Sequence, residues 1–246
     1  MLLASAPPPG TPVPAAMRAV AGGTVTLVWK NEVGGLTGRV AGFDGAPPRF
    51  VKWNLVSSGE SLAAEAERLR WLAGRHPAPK VLEFASDGDT ELLVSAELPG
   101  RSAVDPLWAD RVDDAVRAIA EGLRRLHSLP TSECPFEWDV AARIAVATAS
   151  GLVIPPVLRE PPQIDRLVVC HGDPCAPNTL LGPDGFTANV DFGRLGLADR
   201  WADLAVATMS LGWNYENFDE SVFWDTYGVE PDPERISYYR ALWTAT

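Results

Sequence analysis

The sequence predicts an α+β fold in two lobes, a small antiparallel-sheet N-lobe followed by a mostly helical C-lobe, and three observations carry it. Strand-like runs separated by Gly- and Pro-rich turns fill residues 24–95. A strong helical repeat follows, with Val112, Val116, Ile119, Leu123 and Leu126 at alternating spacings of four and three. Helical patterns then dominate from Trp201 onward. At 246 residues, with 46% hydrophobic content and nine tryptophans, the chain is long enough for two modest lobes. The expected division is a loose, Ala- and Pro-rich arm over 1–19, an N-lobe over 20–97 and a C-lobe over 98–246.

In the N-lobe, the β-branched run Thr24 to Trp29 is a strand. Lys30 to Gly38 breaks it with three glycines, and Arg39 to Phe43 resumes the strand pattern. Backbone amides freed by glycine can approach a phosphate closely, although the same loop read alone is an ordinary hairpin turn. After the turn cluster from Asp44 to Pro48, Arg49 to Trp53 alternates as a third strand that carries Lys52. Ser57 and Glu60 have capping-box spacing, which predicts a helix running to about Arg75. At about 100° per residue, Glu65 falls inside the apolar arc of Leu62, Leu69 and Leu72. An inward carboxylate needs a partner, and Lys52 is the obvious one. Val81 to Phe84 and Glu91 to Ser95 read as a hairpin, which leaves through Ala96-Glu97-Leu98 as an interlobe linker.

The C-lobe helices are expected at about 110–128, 138–149, 201–211 and 219–227, with a last one after Pro233. Composition narrows the partners. A formal charge of −11 argues against nucleic acid and favours cationic ligands. No apolar run approaches the length of a membrane span. Three cysteines without a C-x-x-C spacing give neither a disulfide framework nor a zinc knuckle, so a reducing cytoplasm is the simplest home. The three histidines lack the spacing of helix-borne metal ligands.

The chemistry concentrates in Val168 to Asn178, where an apolar run opens into a Pro-stiffened loop containing His171-Gly172-Asp173 and Asn178. Thirteen residues after Asn178, the run Ala188-Asn189-Val190 delivers Asp191-Phe192-Gly193-Arg194. Pairing of the two apolar runs as a hairpin would bring Asp173, Asn178 and Asp191 together. The spacing is that of a kinase catalytic loop followed by its metal-binding Asp. Gly-rich hairpin, strand Lys, inward helical Glu, linker and core helix precede it in the chain order of that fold. Only five residues separate Gly193 from Asp199, which leaves no room for a peptide platform, so the acceptor should be a small molecule.

The runs His171 to Leu180 and Val190 to Ala205, with Phe50-Val51-Lys52-Trp53 and Tyr238-Tyr239-Arg240, resemble the aminoglycoside phosphotransferases, above all the kanamycin- and neomycin-type 3′-enzymes. That resemblance implies a two-lobed protein-kinase-like fold, ATP and Mg²⁺ as cofactors, and antibiotic resistance as the outcome. It implies Asp173 as the catalytic base and Arg194 at the reacting phosphoryl. Lys52 with Glu65 would form the phosphate clamp, Gly34, Gly35 and Thr37 the glycine loop, and Ser95 and Glu97 the contact with the nucleotide base. Asn178 and Asp191 would hold the magnesium, while Glu216, Asp219 and Glu220 lie in the region lining the drug cleft, or are an ordinary solvated helix start. Asp199 and Asp203 would brace the loop and cap the next helix. The sequence ends without the acidic residues that some relatives use to bind drug amines, so terminal charge recognition should be weaker. The expected protein binds neither nucleic acid nor membrane, and its oligomeric state is open, with a monomer favoured. Alternatives are a kinase acting on streptomycin at 3″, on a viomycin-like peptide antibiotic or on a choline-like metabolite, and a nucleotide-binding module without catalysis.

Overall fold

The computed structural model describes residues 4–42 and 45–246. Phe43 and Asp44, which the sequence places at a strand end and a turn, lie outside the described residues, as do residues 1–3 of the arm. The chain divides into two compact units, Met1–Ala73 with Ala78–Leu98, and Gly74–Pro77 with Pro99–Thr246.

In the first unit, β1 (Ala4–Ser5), β2 (Val25–Asn31), β3 (Leu36–Val40), β4 (Arg49–Leu55), β5 (Val81–Ser86) and β6 (Thr90–Ala96) form one antiparallel sheet in the order β1-β2-β3-β4-β6-β5. Alternation gives the sheet two faces. One presents Leu36, Val40, Val51, Leu92 and Val94 and is covered by Met17 and Ala21 of α1 (Ala15–Ala21). The expected loose arm is therefore corrected. Its described part pairs as a strand with β2 and then supplies a helix whose Met17 is completely buried. A Pro- and Ala-rich segment shows little periodicity, but the apolar sheet face needs a cover. Gly38 permits the close approach, because a Cβ there would collide with the Val25 side chain and come within 3.1 Å of Met17 Cε.

The opposite face carries Thr37, Lys52 and Leu93 in register and receives α2 (Leu62–Leu72), whose inward stripe is Leu62, Glu65, Ala66, Leu69 and Leu72. Helix α2 starts later than the capping-box reading placed it. Gly59 adopts φ 82 and breaks the chain after a short 3-10 turn at Val56–Ser58, so Ser61 becomes the cap and accepts the Ala64 N–H at 3.1 Å.

In the second unit, β7 (Arg101–Ser102), α3 (Val112–Leu126), α4 (Val140–Ala149), β8 (Leu167–Cys170), β9 (Thr179–Gly182), β10 (Gly185–Asn189) and β11 (Gly196–Asp199) precede three closing helices, α5 (Trp201–Asn214), α6 (Glu220–Tyr227) and α7 (Pro233–Ala245). Asp139, Asp219 and Asp232 cap α4, α6 and α7 through their carboxylates. Helix α5 buries residues on every side, from Trp201 to Leu211, which suits a helix surrounded by its own lobe. One apolar core joins α3, α5, α6 and α7. No helix of the described residues is long and apolar enough to cross a membrane.

The expected pairing of the two apolar runs is also corrected. The first run, β8, pairs with β11, whereas the second, β10, pairs with β9 in a separate small sheet that includes β7. A local hairpin across residues 183–184 wins for β10, because closing a two-residue turn costs less entropy than bridging the whole loop.

Candidate active site

The first unit holds a charged pair. Lys52 Nζ donates to both carboxylate oxygens of Glu65, at 2.7 and 2.9 Å. Glu65 is buried at 4% exposure, so its charge requires this cation, and the Lys52 side chain remains 24% exposed. Strand β4 fixes the lysine and the inward face of α2 fixes the glutamate. Glu91 of β6 locks the helix start by accepting the Leu62 N–H at 2.6 Å.

The glycine turn between β2 and β3 is closed by Asn31. Its carbonyl accepts the Gly34 N–H at 3.2 Å, and its side-chain oxygen accepts the Gly35 N–H at 2.5 Å. Both amides thus point into the turn here and not outward as phosphate donors. Asn31 also donates to Glu60 at 2.9 Å. Sequence reasoning missed this residue, although an Asn opening a Gly-rich turn is a known turn former. Thr37 sits opposite Lys52 in the β3–β4 register. Ser95 lies on β6 opposite Phe50 and Val81. The Glu97 N–H donates to Pro48 O at 3.2 Å and its carboxylate pairs with Arg39 at 2.7 Å. A base contact through the Glu97 backbone would therefore use its carbonyl.

In the second unit, β8 carries the chain into His171-Gly172-Asp173. Asp203, near the start of α5 and fully buried, holds the entry to this loop. Its carboxylate accepts the His171 N–H at 2.6 Å and the Gly172 N–H at 3.0 Å. Burial alone would raise its pKa, but the hydrogen bond and charge of His127, with His171, hold it below the usual carboxylate value. Asp199 instead accepts the Trp201 N–H at 3.2 Å and the Asp165 N–H at 3.0 Å, which occupies the first amide of α5 and ties down the segment before β8. Gly172 has φ 82, and a Cβ at this position would run into the backbone of Arg194.

Beyond Gly172, Asn178 donates from its side-chain amide to the Asp173 carbonyl at 3.0 Å. The Val190 N–H donates to the Asn178 carbonyl at 2.9 Å, and His171 Nε2 meets Val190 O at 3.0 Å. Asp173 and Asn178 are thus linked through the loop, and Asp191 directly follows a residue bonded to both His171 and Asn178. These contacts, with the β9–β10 pairing, join the backbone segments that carry Asp173, Asn178 and Asp191. Among the described residues Asp191 is the only non-glycine with positive φ, at 68. Aspartate tolerates this region better than most residues, and such backbone clusters at functional sites. Asp173 Oδ1 is buried and has no hydrogen-bond partner among the described residues. Arg194 has its guanidinium 5.9 Å from the Trp138 ring and 6.0 Å from the Trp243 ring. Burial, with the Arg194 charge, lowers Arg143 to about 10. The two tryptophans were not singled out from sequence, since nothing local links positions 138, 194 and 243.

Of the acidic residues expected to meet a drug, Glu216 is exposed, Asp219 accepts the Ser221 N–H at 2.9 Å as a helix cap, and Glu220 accepts the Trp224 indole N–H at 2.9 Å. The last two have duties within α6. Burial pushes the thiols of Cys170 and Cys175 well up, so neither is a nucleophile. The buried trio His127, Cys170 and Asp203 has the proximity of a metal site, but its His and Asp are hydrogen-bonded to each other at 3.0 Å.

This geometry can now be compared with known proteins. The profile of the phosphotransferase enzyme family matches residues 48–150 and 154–239. The chain belongs to that family. It is 37% identical to an aminoglycoside 3′-phosphotransferase of Streptomyces ribosidificus over 76% of this chain and 81% of the relative. It is 34% identical to a streptomycin 3″-kinase of Streptomyces griseus over 79% of this chain and 83% of the relative. Among solved structures, a type VIII aminoglycoside-3′-phosphotransferase superposes with a TM-score of 0.79 at 31% identity, covering 94% of this chain and 98% of that one. These likenesses bear out the two-lobed kinase-like fold read from the sequence.

Proposed function

We propose that this phosphotransferase moves the γ-phosphoryl group of ATP to a hydroxyl of an aminoglycoside, the 3′-hydroxyl of kanamycin- and neomycin-type drugs, and thereby confers resistance. The observation that carries the chemistry is the buried, unpartnered Oδ1 of Asp173 on a loop whose backbone is fixed at both ends. A buried carboxylate oxygen lacking a protein donor is suited to accept a hydrogen bond from a reacting hydroxyl. The direction toward aminoglycosides is supported by the named relatives and by the formal charge of −11, which suits a polycationic acceptor.

In this reading, Lys52 neutralises nucleotide phosphate charge and is held in place by Glu65. Asp173 orients the acceptor hydroxyl. As the acceptor oxygen bonds to the γ-phosphorus, the bond from that phosphorus to the β–γ bridging oxygen breaks. ADP leaves with the bridging oxygen, and the hydroxyl proton passes to the Asp173 carboxylate. Asn178 and Asp191 offer hard side-chain oxygens, a donor set that fits Mg²⁺, and would hold it. When bound it would neutralise charge on the phosphates. Arg194 adds a fixed positive charge, oriented by two tryptophan faces. Catalysis rests on positioning and charge neutralisation, in line with the loose transition state of phosphoryl transfer.

A second reading, streptomycin as the acceptor at 3″, is favoured by the 34% identity to the streptomycin 3″-kinase. It is also favoured by the TM-score of 0.67, at 28% identity, to a Streptomyces rimosus enzyme solved with ADP and streptomycin. Incubating the protein with ATP and Mg²⁺ and each of kanamycin, neomycin and streptomycin decides between them. Product mass and NMR should show a phosphate ester at 3′ of kanamycin. No turnover with kanamycin or neomycin would overturn the 3′ assignment, and a 3″ ester of streptomycin would establish the second reading.

A further inference from the structure

Behind the catalytic loop lies a chain of buried polar groups that the proposed reaction does not use directly. His127 ends α3, and its Nε2 meets Asp203 Oδ2 at 3.0 Å. Because the Asp203 carboxyl is held below its usual pKa, it is an acceptor, and the Nε2 hydrogen donates to it. The other ring nitrogen, Nδ1, meets the Tyr227 hydroxyl at 2.8 Å. Tyr227 belongs to α6, is pushed up to about 12 by burial, and packs edge-on against the imidazole with ring centroids 5.6 Å apart. Asp203 then holds the N–H groups of His171 and Gly172. Four segments, α6, α3, α5 and the loop, are thus joined by hydrogen bonds through His127 and Tyr227. His127 and Asp203 are exposed by only 3% and 0%.

We propose that His127 and Tyr227 are positioning residues that set the loop carrying Asp173 through Asp203, an inference that rests on the reading of Asp173 as the base. A carboxylate with rotational freedom could satisfy the two backbone N–H groups from more than one orientation. The His127 donor selects one of them by engaging Oδ2, the oxygen that also holds the His171 N–H. The Tyr227 hydroxyl in turn selects the ring orientation, because it anchors the nitrogen opposite the one facing Asp203. Removing either group leaves a buried polar atom without its partner and lets the carboxylate turn. The loop backbone follows it, since both of its bonds end on Asp203.

The test uses the full chain and three variants, Tyr227→Phe, His127→Leu and His127→Gln. Steady-state kinetics with ATP and the acceptor should show kcat lowered roughly 10-fold in Tyr227→Phe and roughly 100-fold in His127→Leu, with KM for ATP within about twofold. His127→Gln, whose amide can still donate to Asp203, should recover part of the loss. Without any substrate, amide hydrogen exchange at His171 and Gly172 should be faster in His127→Leu than in the wild type, with α3 and α5 protected as before. Unchanged exchange at these two amides, or faster exchange spread uniformly over the unit, would overturn the proposal. Because exchange is read without turnover, its result stands apart from the reading of Asp173, which fails separately if Asp173→Asn keeps wild-type kcat.

Discussion

Replacing Gly172 with alanine perturbs the catalytic loop without touching a charged group. A Cβ built at this position would stand 2.6 Å from the Arg194 carbonyl carbon and 2.8 Å from its Cβ, and closer still to the carbonyl oxygen. Real Cβ contacts essentially never fall under 3.0 Å, and the carbonyl oxygen, as the nearest atom, sets the displacement, so the two backbones must part by about 1 Å or more. The φ of 82 adds a second penalty, because an L side chain there costs about 1–2 kcal/mol. Overpacking adds a further cost of about 1–3 kcal/mol. Together the substitution should destabilise the protein by roughly 2–5 kcal/mol. A shift of that size beside Asp173 should lower kcat by about 10²-fold, the usual consequence of a misplacement near 1 Å. Thermal unfolding combined with coupled ADP-release kinetics measures both. A variant with wild-type midpoint and kcat within threefold would refute the argued contact between Gly172 and the Arg194 backbone.

Other predictions follow from the same geometry. Asp173→Asn should cut kcat by about 10²-fold or more while ATP affinity, measured by calorimetry, stays within about threefold; retained turnover would remove Asp173 from its role. Asp191→Ala should abolish the Mg²⁺ dependence of nucleotide binding, and a titration with Mg²⁺ and with EDTA that still differ would count against it. His76, lowered by burial from 6.5 to about 4, is held neutral in the fold, so the unfolded chain binds its proton first as pH falls. Stability should therefore be intact above pH 6.5 and decline toward pH 4, by about 3 kcal/mol at most from this group. Denaturant midpoints of His76→Gln across this range should be flatter than wild type, and parallel curves would be evidence against it.

What could be read from the sequence depended on whether the governing force was local. Lys52 and Glu65 were legible together because an inward carboxylate on an amphipathic helix announces its need for a cation, and the structure supplies that cation at 2.7 Å. The long helices α3 and α5 were legible from periodicity and uninterrupted apolar character. The pairing of β8 with β11 was not, because strand partners are chosen by the whole lobe and the apolar run at 188–190 looked equally suitable. Helix α1 was hidden for the opposite reason: its own sequence is bland, and the sheet face it covers dictates its place. The start of α2 was displaced because Gly59 turned the chain after the expected cap. At the site, the residue types were visible in their spacing, while the stacking of Arg194 between Trp138 and Trp243 required the folded chain to bring distant positions together.

If a nucleotide phosphate meets the glycine turn, the closure of that turn by Asn31 would make its capture an exchange and not a simple addition. Any nucleotide oxygen that takes the Gly35 amide must displace a side-chain oxygen already there at 2.5 Å. The net gain is the difference between two hydrogen bonds, made larger when the incoming acceptor is charged and the departing one neutral. An anionic phosphate would be better placed in that competition than water or a neutral sugar oxygen. The displaced Asn31 would remain tethered through Glu60 to the segment leading into α2, so the turn can reclose when the phosphate leaves.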